Sequence, residues 1–431
     1  MKSKIRILLL LFGLITAHGF AQGVRNISVL FDSLKVNPVT LGQRFAADKA
    51  LQYKKIATGN LYPELFAFGK YDYSSSPAAM SPVPPNDLIQ MVKDHSAAQP
   101  FSENILRGGV NVSMPLFVKA VYTSAAKAQK MYEAASLKAD IDLQKNEAIL
   151  VGANANLIYM QNLEAAIQSK RKSLEKMKEL ITLKVNNGRA PESALLVMNA
   201  NINELKLNLS QLQIKKEKVR ATIYALTNIQ LDSAVTLTQN AKFVNGDFVV
   251  LQPLEKTIEA SRLSVRAEKE KLYPSLVAQA NYVYNHGQSY NNNKIINNDY
   301  TTAGLTLKIP IFGKPQYSKI KLKNIELEEQ KNELEKMRLE ITAQANQLEK
   351  SLNIINKSIQ LNESSIQSKQ KLLNIAKESY LKDRMTVEDY LKYEDDLLFE
   401  KAKLYQTQAQ RWQTLMQLAV IYGNNIENLV K

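Results

Sequence analysis

The chain has 431 residues, a formal net charge of +15, 45% apolar residues and no cysteine. The lack of cysteine excludes disulfides, thiolate metal sites and an N-terminal lipid-bearing cysteine, and three dispersed histidines do not predict a zinc site. No phosphate-binding loop or arrangement of nucleophile and base is recognisable, so we expect no enzyme activity, no cofactor and no metal. Lysines alternate with Glu and Gln rather than with aromatic residues, which argues against a nucleic-acid partner.

Residues 1–21 have the pattern of a secretory signal peptide. Lys2, Lys4 and Arg6 precede an apolar run at residues 7–15, and Ala21 lies at the expected cleavage position. The apolar run is shorter than the roughly 20 residues that a membrane-spanning helix needs. We therefore expect the protein to be exported.

Two motifs recur along the chain and predict a duplicated structure. Leu-Tyr-Pro-Glu-Leu at residues 61–65 returns as Leu-Tyr-Pro-Ser-Leu at 272–276, a shift of 211. Met-Pro-Leu-Phe at 114–117 returns as Ile-Pro-Ile-Phe at 309–312, and the same shift of 195 relates Arg189 to Arg384. We expect two repeats, at residues 22–228 and 250–423, with a linker at 229–249 and a tail at 424–431.

Each repeat is expected to contain a helix, a pair of strands and a helical hairpin. Alternating apolar and polar residues predict strands at 61–73 and 104–114, and at 272–284 and 299–309. The intervening residues 74–100 and 285–298 are interpreted as loops. The apolar face ends in tyrosines that suit a membrane interface, namely Tyr71, Tyr73, Tyr282 and Tyr284.

Strands of about ten residues can cross a bilayer, whereas the alternative is a half-buried hairpin on a soluble domain. The same apolar-then-tyrosine face in both repeats favours membrane strands. Four strands cannot close a barrel, and open edges are not tolerated in hydrocarbon, so the unit is expected to oligomerise as a dimer or a trimer.

Long helices follow the strands in both repeats. Pro115 and Pro310 mark the junctions between strand and helix, and the hairpins are predicted at 117–227 and 312–422. Each first helix has roughly 70 residues, about 100 Å at the helical rise. Turns are predicted at 186–191 and 382–386, and apolar residues at heptad spacing predict coiled-coil packing.

The duplicated Leu-Tyr-Pro motif, the two proline junctions and the turn sequences at 185–189 and 380–384 resemble those of the TolC-type outer membrane efflux proteins. This resemblance implies a mostly α fold with membrane β-strands, in which each protomer adds four strands to a twelve-stranded barrel of a homotrimer. It also implies contact with outer membrane lipid in a Gram-negative cell and a long periplasmic portion. The expected partners are a periplasmic adaptor and an inner-membrane pump of RND or ABC type, in efflux or type I secretion.

The resemblance assigns a periplasmic gate to Tyr380 and an acidic selectivity ring to Asp389. This sequence departs from the family at Lys392, where a second acid is common, and at Ala194, which takes the place of the tyrosine's acidic partner. Packing in the helix seam is the alternative role for Tyr380, and helix capping is the alternative for Asp389.

The turn residues at equivalent places in the two repeats are expected to dock on the adaptor. They are Gly188, Arg189, Asp383 and Arg384.

Two other functions remain open from the sequence alone. A periplasmic adaptor of the membrane-fusion type has one coiled-coil hairpin flanked by split β-rich halves, whereas this chain has two hairpins and two strand pairs. A structural trimeric coiled coil of the cell surface would lack the strand pairs. Channel conductance separates both from a duct.

Overall fold

The computed structural model describes residues 26–75, 102–290 and 292–431. The proposed signal peptide and most of the first expected loop lie outside the described residues. The mostly helical fold with four strands is confirmed. The elements are α1 Ile27–Lys35, α2 Pro38–Gly59, β1 Glu64–Tyr73, β2 Asn104–Phe117, α3 Lys119–Asn186, α4 Glu192–Thr227, α5 Gln252–Glu270, β3 Ser275–Gln288, β4 Ile295–Lys308, α6 Lys314–Leu381, α7 Val387–Tyr422 and α8 Ile426–Leu429.

The chain divides into two compact units. A helical unit contains Met1–Gln43, Asp140–Val250 and Leu339–Lys431, and a strand-bearing unit contains Arg44–Ala139 and Leu251–Arg338. Among the helices of the described residues, none combines the length and the apolar content that crossing a membrane requires.

The helices repeat with the spacing that the sequence motifs indicate. Both α3 and α6 have 68 residues, and both α4 and α7 have 36. Left-handed backbone occurs at Gly188 and Asp383, and again at Asn228 and Gly423. The members of each pair are 195 positions apart, so the two hairpins have the same construction from the first turn to the last.

The four strands form one antiparallel sheet in the order β1-β2-β3-β4. β1 begins after Pro63 and β3 after Pro274, three residues later than the motifs suggest. Proline has no N–H to donate, so a strand readily begins just beyond it. β2 continues through Pro115 to Phe117, with a register shift between these two residues. Pro115 therefore lies in a bulge, where a missing donor is tolerated.

The β3–β4 hairpin is longer than expected. The composition of residues 285–298 predicts a loop, but residues 285–288 and 295–298 pair with each other. His286 lies opposite Asn297, with 2.6 Å between Nδ1 and Oδ1. The alternation of the two faces continues through this Asn-rich segment. Gly109 allows β2 and β3 to approach closely, since a Cβ on Gly109 would overlap the Tyr282 carbonyl oxygen and would lie 2.9 Å from the Phe68 ring.

The helical unit is held by a core that joins distant parts of the chain. Leu30 of α1, Leu150 of α3, Leu231 of the linker and Leu429 of α8 are all buried in it. The backbones of Thr238 and Lys431 exchange two hydrogen bonds of 2.9 and 3.0 Å. The linker and the C-terminal tail are therefore packed and paired with each other.

A carboxyl group is buried beside this core. The Glu147 side chain on α3 is 5% exposed, and its neighbours are Glu427 and Lys35, which form an ion pair of 2.6 Å. Burial, with a smaller contribution from the Glu427 charge, raises the pKa of Glu147 to about 7. The folded chain therefore binds this proton more tightly than the unfolded chain does.

We expect Glu147→Gln to stabilise the protein in a pH-dependent way. The stability that the protonated carboxyl contributes is fully present below pH 4.5 and is lost as the pH rises to about 7. The melting temperature of the variant should therefore exceed that of the wild type at about pH 8 and match it near pH 4.5. Thermal melts between these two pH values, with the exposed Glu204→Gln as control, measure the effect. A gain that does not vary with pH would contradict this account.

Candidate functional site

The sheet has one apolar and one mainly polar face, and the strand register aligns them across all four strands. Ser113 lies opposite Gln279, and Asn281 lies between Asn111 and Thr302. The polar side chains that share this face include Asn111, Ser113, Gln279, Asn281, Thr306 and Lys308. Phe66 and Phe68 also lie on this face.

The polar face carries an ion-pair cluster that the sequence analysis did not identify. Asp72 accepts from Lys70 at 2.6 Å and lies 3.4 Å from Arg107. The position of Arg107 opposite Lys70 could be found only from the register. Two cations share one carboxylate here, so the cluster is a local positive site on the face.

The apolar face carries exposed leucines, valines and tyrosines. Leu65, Leu106, Val110, Leu305 and Leu307 are exposed on it. Tyr71, Tyr73, Tyr282 and Tyr284 are exposed on the same face, toward the strand ends that lie away from the helices. The Tyr71 hydroxyl donates to the Asn104 side chain. An apolar face that ends in exposed tyrosines suits contact with a bilayer and its interface.

The sheet is open on both sides. No strand of the described residues pairs with the outer edge of β1 or of β4. These strands have 10 and 14 residues, so each presents a row of unpaired N–H and C=O groups. Such edges are compatible with lipid only when another strand pairs with them.

The two helix turns have the same backbone geometry. At the end of α3 the Arg189 N–H donates to the Lys184 carbonyl at 2.8 Å, and at the end of α6 the Arg384 N–H donates to the Ser379 carbonyl at 2.9 Å. This is the Schellman arrangement, which needs a left-handed residue before the donor. Gly188 and Asp383 supply it, with φ of 65° and 54°.

The turns also present two exposed cations. The Arg189 and Arg384 side chains are exposed and form no ion pair within the part of the chain that the structure describes. The structure brings these arginines to equivalent places in the two repeats.

Tyr380 is buried where the two hairpins meet. Its ring is 5.8 Å from that of Tyr390, centroid to centroid, and the Lys184 ammonium lies 5.0 Å from its centre. Lys184 also pairs with Asp383. Burial, followed by the Asp383 and Glu388 charges, raises the pKa of Tyr380, so its hydroxyl stays protonated at neutral pH.

Asp389 belongs to a capping arrangement at the start of α7. Its N–H donates to Thr386 Oγ1 at 3.1 Å, and its carboxylate accepts from Thr386 and Lys392. These hydrogen bonds lower the pKa of Asp389. Lys392 therefore partly neutralises the carboxylate that the resemblance assigns to a selectivity ring. Asp389 is next to Tyr390, so both expected gate residues lie in one cluster.

Further polar contacts join α3 to α7. Ser173 of α3 donates to Glu394 of α7 at 2.6 Å, and the Tyr390 hydroxyl, which is also on α7, donates to the same carboxylate at 2.5 Å and so holds it in place. The buried Lys170 pairs with Asp395. Ala194 is buried in the neighbouring core and offers no polar group. These contacts, together with Lys184 and Asp383, tie the two hairpins together without an acid at residue 194.

The family model described as outer membrane efflux protein matches residues 250–424, and no curated protein matches the sequence significantly. The fold is similar to VceC of Vibrio cholerae, with a TM-score of 0.78 and 16% identity over 93% of this chain and 97% of that chain. It is also similar to the CmeC channel of Campylobacter jejuni, with a TM-score of 0.77 and 14% identity over 92% and 85%. The open-state MtrE channel of Neisseria gonorrhoeae gives a TM-score of 0.75 and 14% identity over 93% and 89%.

The resemblance to TolC-type outer membrane efflux proteins is thereby confirmed. The family match covers the second repeat. The structural matches extend over both repeats and show that the fold is shared.

We expect Asp395→Asn to destabilise the protein more than Asp396→Asn. Asp395 compensates the buried Lys170 on the other hairpin, whereas Asp396 pairs with the part-exposed Lys369 on its own hairpin at 2.5 Å. Because Asp395 is itself largely exposed, the loss should be about 1–2 kcal/mol for Asp395→Asn and under about 0.5 kcal/mol for Asp396→Asn. Denaturant unfolding measures both. Equal losses of stability would show that the ion pair between the hairpins stabilises the protein no more than the ion pair within one hairpin.

Proposed function

We propose that this chain, whose second repeat belongs to the outer membrane efflux protein family, is the passive outer membrane duct of a tripartite export system. The sheet would lie in the outer membrane and the long helices would extend into the periplasm. A periplasmic adaptor and an inner-membrane pump would deliver the solutes, in efflux or in type I secretion. The duct itself performs no chemistry, and the energy for transport comes from the pump.

The two-faced sheet with two unpaired edges is the observation that carries this proposal. The apolar face needs lipid, the polar face needs water, and each edge needs a partner strand. Pairing β1 of one copy with β4 of the next satisfies all three requirements. Three copies give the twelve-stranded barrel that the family resemblance implies. Its lumen would then be lined mainly by polar and charged side chains, with Phe66 and Phe68 among them, and the polar groups would replace bulk water around a passing solute.

The contacts between the hairpins support a gate at the helix turns. Tyr380 packs against Tyr390 while Lys184 holds Asp383, so the end of α6 is bound to α3 of the same copy. Breaking these contacts would free the second hairpin to move away from the axis and widen the passage. Asp389 would form a ring of three carboxylates, each with Lys392 beside it at 3.2 Å, so cation preference should be modest.

We expect the purified full-length protein to form discrete channels in planar bilayers, and Asp383→Asn to raise their open probability. Asparagine tolerates the left-handed backbone at this position but cannot hold the Lys184 charge. Asp396→Asn is the matched control, because it removes an ion pair within one hairpin. Absence of channels in the wild type would refute the duct, whereas identical gating in all three proteins would refute only the gate.

We expect the double variant Arg189→Glu and Arg384→Glu to lose export while it keeps its oligomeric state and its conductance. The two arginines would contact carbonyl or carboxylate groups on the adaptor, and the reversed charge repels them. The control is the double variant Lys218→Glu and Lys371→Glu, which changes two exposed lysines and alters the net charge by the same amount. Export assays in cells that contain the cognate pump, together with cross-linking of the purified proteins, measure the effect. Full export by the arginine variant would place docking on other residues.

A further inference from the structure

Basic residues are concentrated where the strands meet the helices. Four stretches precede or follow the strands on the helix side, and together we call them the basic zone. They are residues 54–63, 118–127, 265–274 and 309–323. The zone contains eleven Lys or Arg and two Glu, a net charge of +9. Most of the +15 of the whole chain is therefore carried by about a tenth of its residues.

The opposite ends of the strands have no such charge. Residues 74–103 and 289–294, which connect the strands there, contain two Lys and three acidic residues. The sheet is therefore strongly basic at the helix end and near neutral at the other end. A general need for solubility would not produce this difference between the two ends.

The basic side chains are available to a ligand. Lys55, Lys269, Lys314 and Lys321 are exposed, and none has a carboxylate within 4.0 Å in the described ranges. The two acids of the zone are already engaged, since Glu268 pairs with Lys271 at 2.6 Å and Glu270 with Arg266 at 2.8 Å. These four lysines therefore have no carboxylate partner among the residues that the structure describes.

Two of the basic stretches lie against each other. The Gln316 side chain on α6 donates to the Glu268 carbonyl on α5 at 2.7 Å. This contact brings the end of α5, with Lys269, beside the start of α6, with Lys314. The lysines of separate helices thus form a shared patch.

Large apolar side chains are exposed among these lysines. Ile311 is 95% and Phe312 81% exposed, and Tyr62, Phe117 and Tyr317 are also exposed. The apolar face of the sheet ends with Leu305 and Leu307 directly before them. Exposed apolar and aromatic residues bordered by lysines are typical of the membrane interface, where the acyl chains of the lipid end and the headgroups begin.

We propose that the basic zone binds the anionic headgroups of phospholipids in the leaflet next to the helices. The inference rests on the proposed function, because it needs the strands to cross a bilayer. Phosphate groups complement the unpaired lysines, while Ile311, Phe312 and Tyr317 contact the adjoining acyl region. Continuity of the zone with the apolar face of the sheet favours a lipid over the acidic polymers of the cell wall. The contact fixes the depth of the sheet in the membrane.

The test is native mass spectrometry of the detergent-purified full-length protein, titrated with phosphatidylglycerol or phosphatidylcholine of the same acyl chains. The wild type should retain more phosphatidylglycerol. Lys269→Gln, Lys314→Gln and Lys321→Gln together should reduce this preference about a hundredfold, since one lysine near an anionic surface is worth about a fivefold change in binding. The control changes three exposed lysines outside the zone, Lys215, Lys218 and Lys371, to Gln.

Equal retention of the two lipids by the wild type, or an unchanged preference in the zone variant, would overturn the proposal. Binding of the wild type to isolated peptidoglycan that the zone variant loses, without any lipid preference, would assign the zone to the cell wall instead. Measuring the conductance of the same preparations distinguishes failure of the proposed lipid site from failure of the proposed duct. Channels without lipid preference refute only the lipid site, whereas the absence of channels refutes the duct.

Discussion

The backbone groups left unpaired along the outer edges of β1 and β4 constrain the rest of the molecule. An N–H or C=O without a partner costs several kcal/mol in hydrocarbon, so a single copy of this sheet is unstable in a membrane. In the proposed duct, pairing with further copies would remove this cost and would make one face of every strand internal. The alternation of side chains would then separate lipid contacts from water contacts without any additional element.

The fold could be predicted from the sequence wherever a pattern is local or repeated. Alternation predicts the strands, and a long stretch without proline predicts α3 and also α6, where Pro315 lies in the first turn and is tolerated there. The predicted starts of β1 and β3 are less accurate, because Pro63 and Pro274 have no N–H to donate to the ladder and the strands begin after them. The β3–β4 hairpin was underestimated because its many Asn residues suggest turns, whereas cross-strand pairs such as His286 with Asn297 extend it.

The site at the helix turns shows where sequence reasoning stops. The capping role of Asp389 is visible in four consecutive residues, because Thr386 and Asp389 have the spacing of a capping box. The contact of Ser173 with Glu394 joins residues 221 positions apart. Neither repeat motif nor periodicity relates these two residues. Such a contact can be known only after the two hairpins have been packed against each other.

The equal lengths of the paired helices limit how such a chain can evolve. With 68 residues in both α3 and α6 and 36 in both α4 and α7, the hairpins match to the residue. One heptad inserted into a single hairpin would displace its turn by about 10 Å from its counterpart. Contacts such as Lys184 with Asp383 would then be lost. Lineages that adapt to a wider or narrower periplasm must therefore lengthen or shorten both repeats in concert.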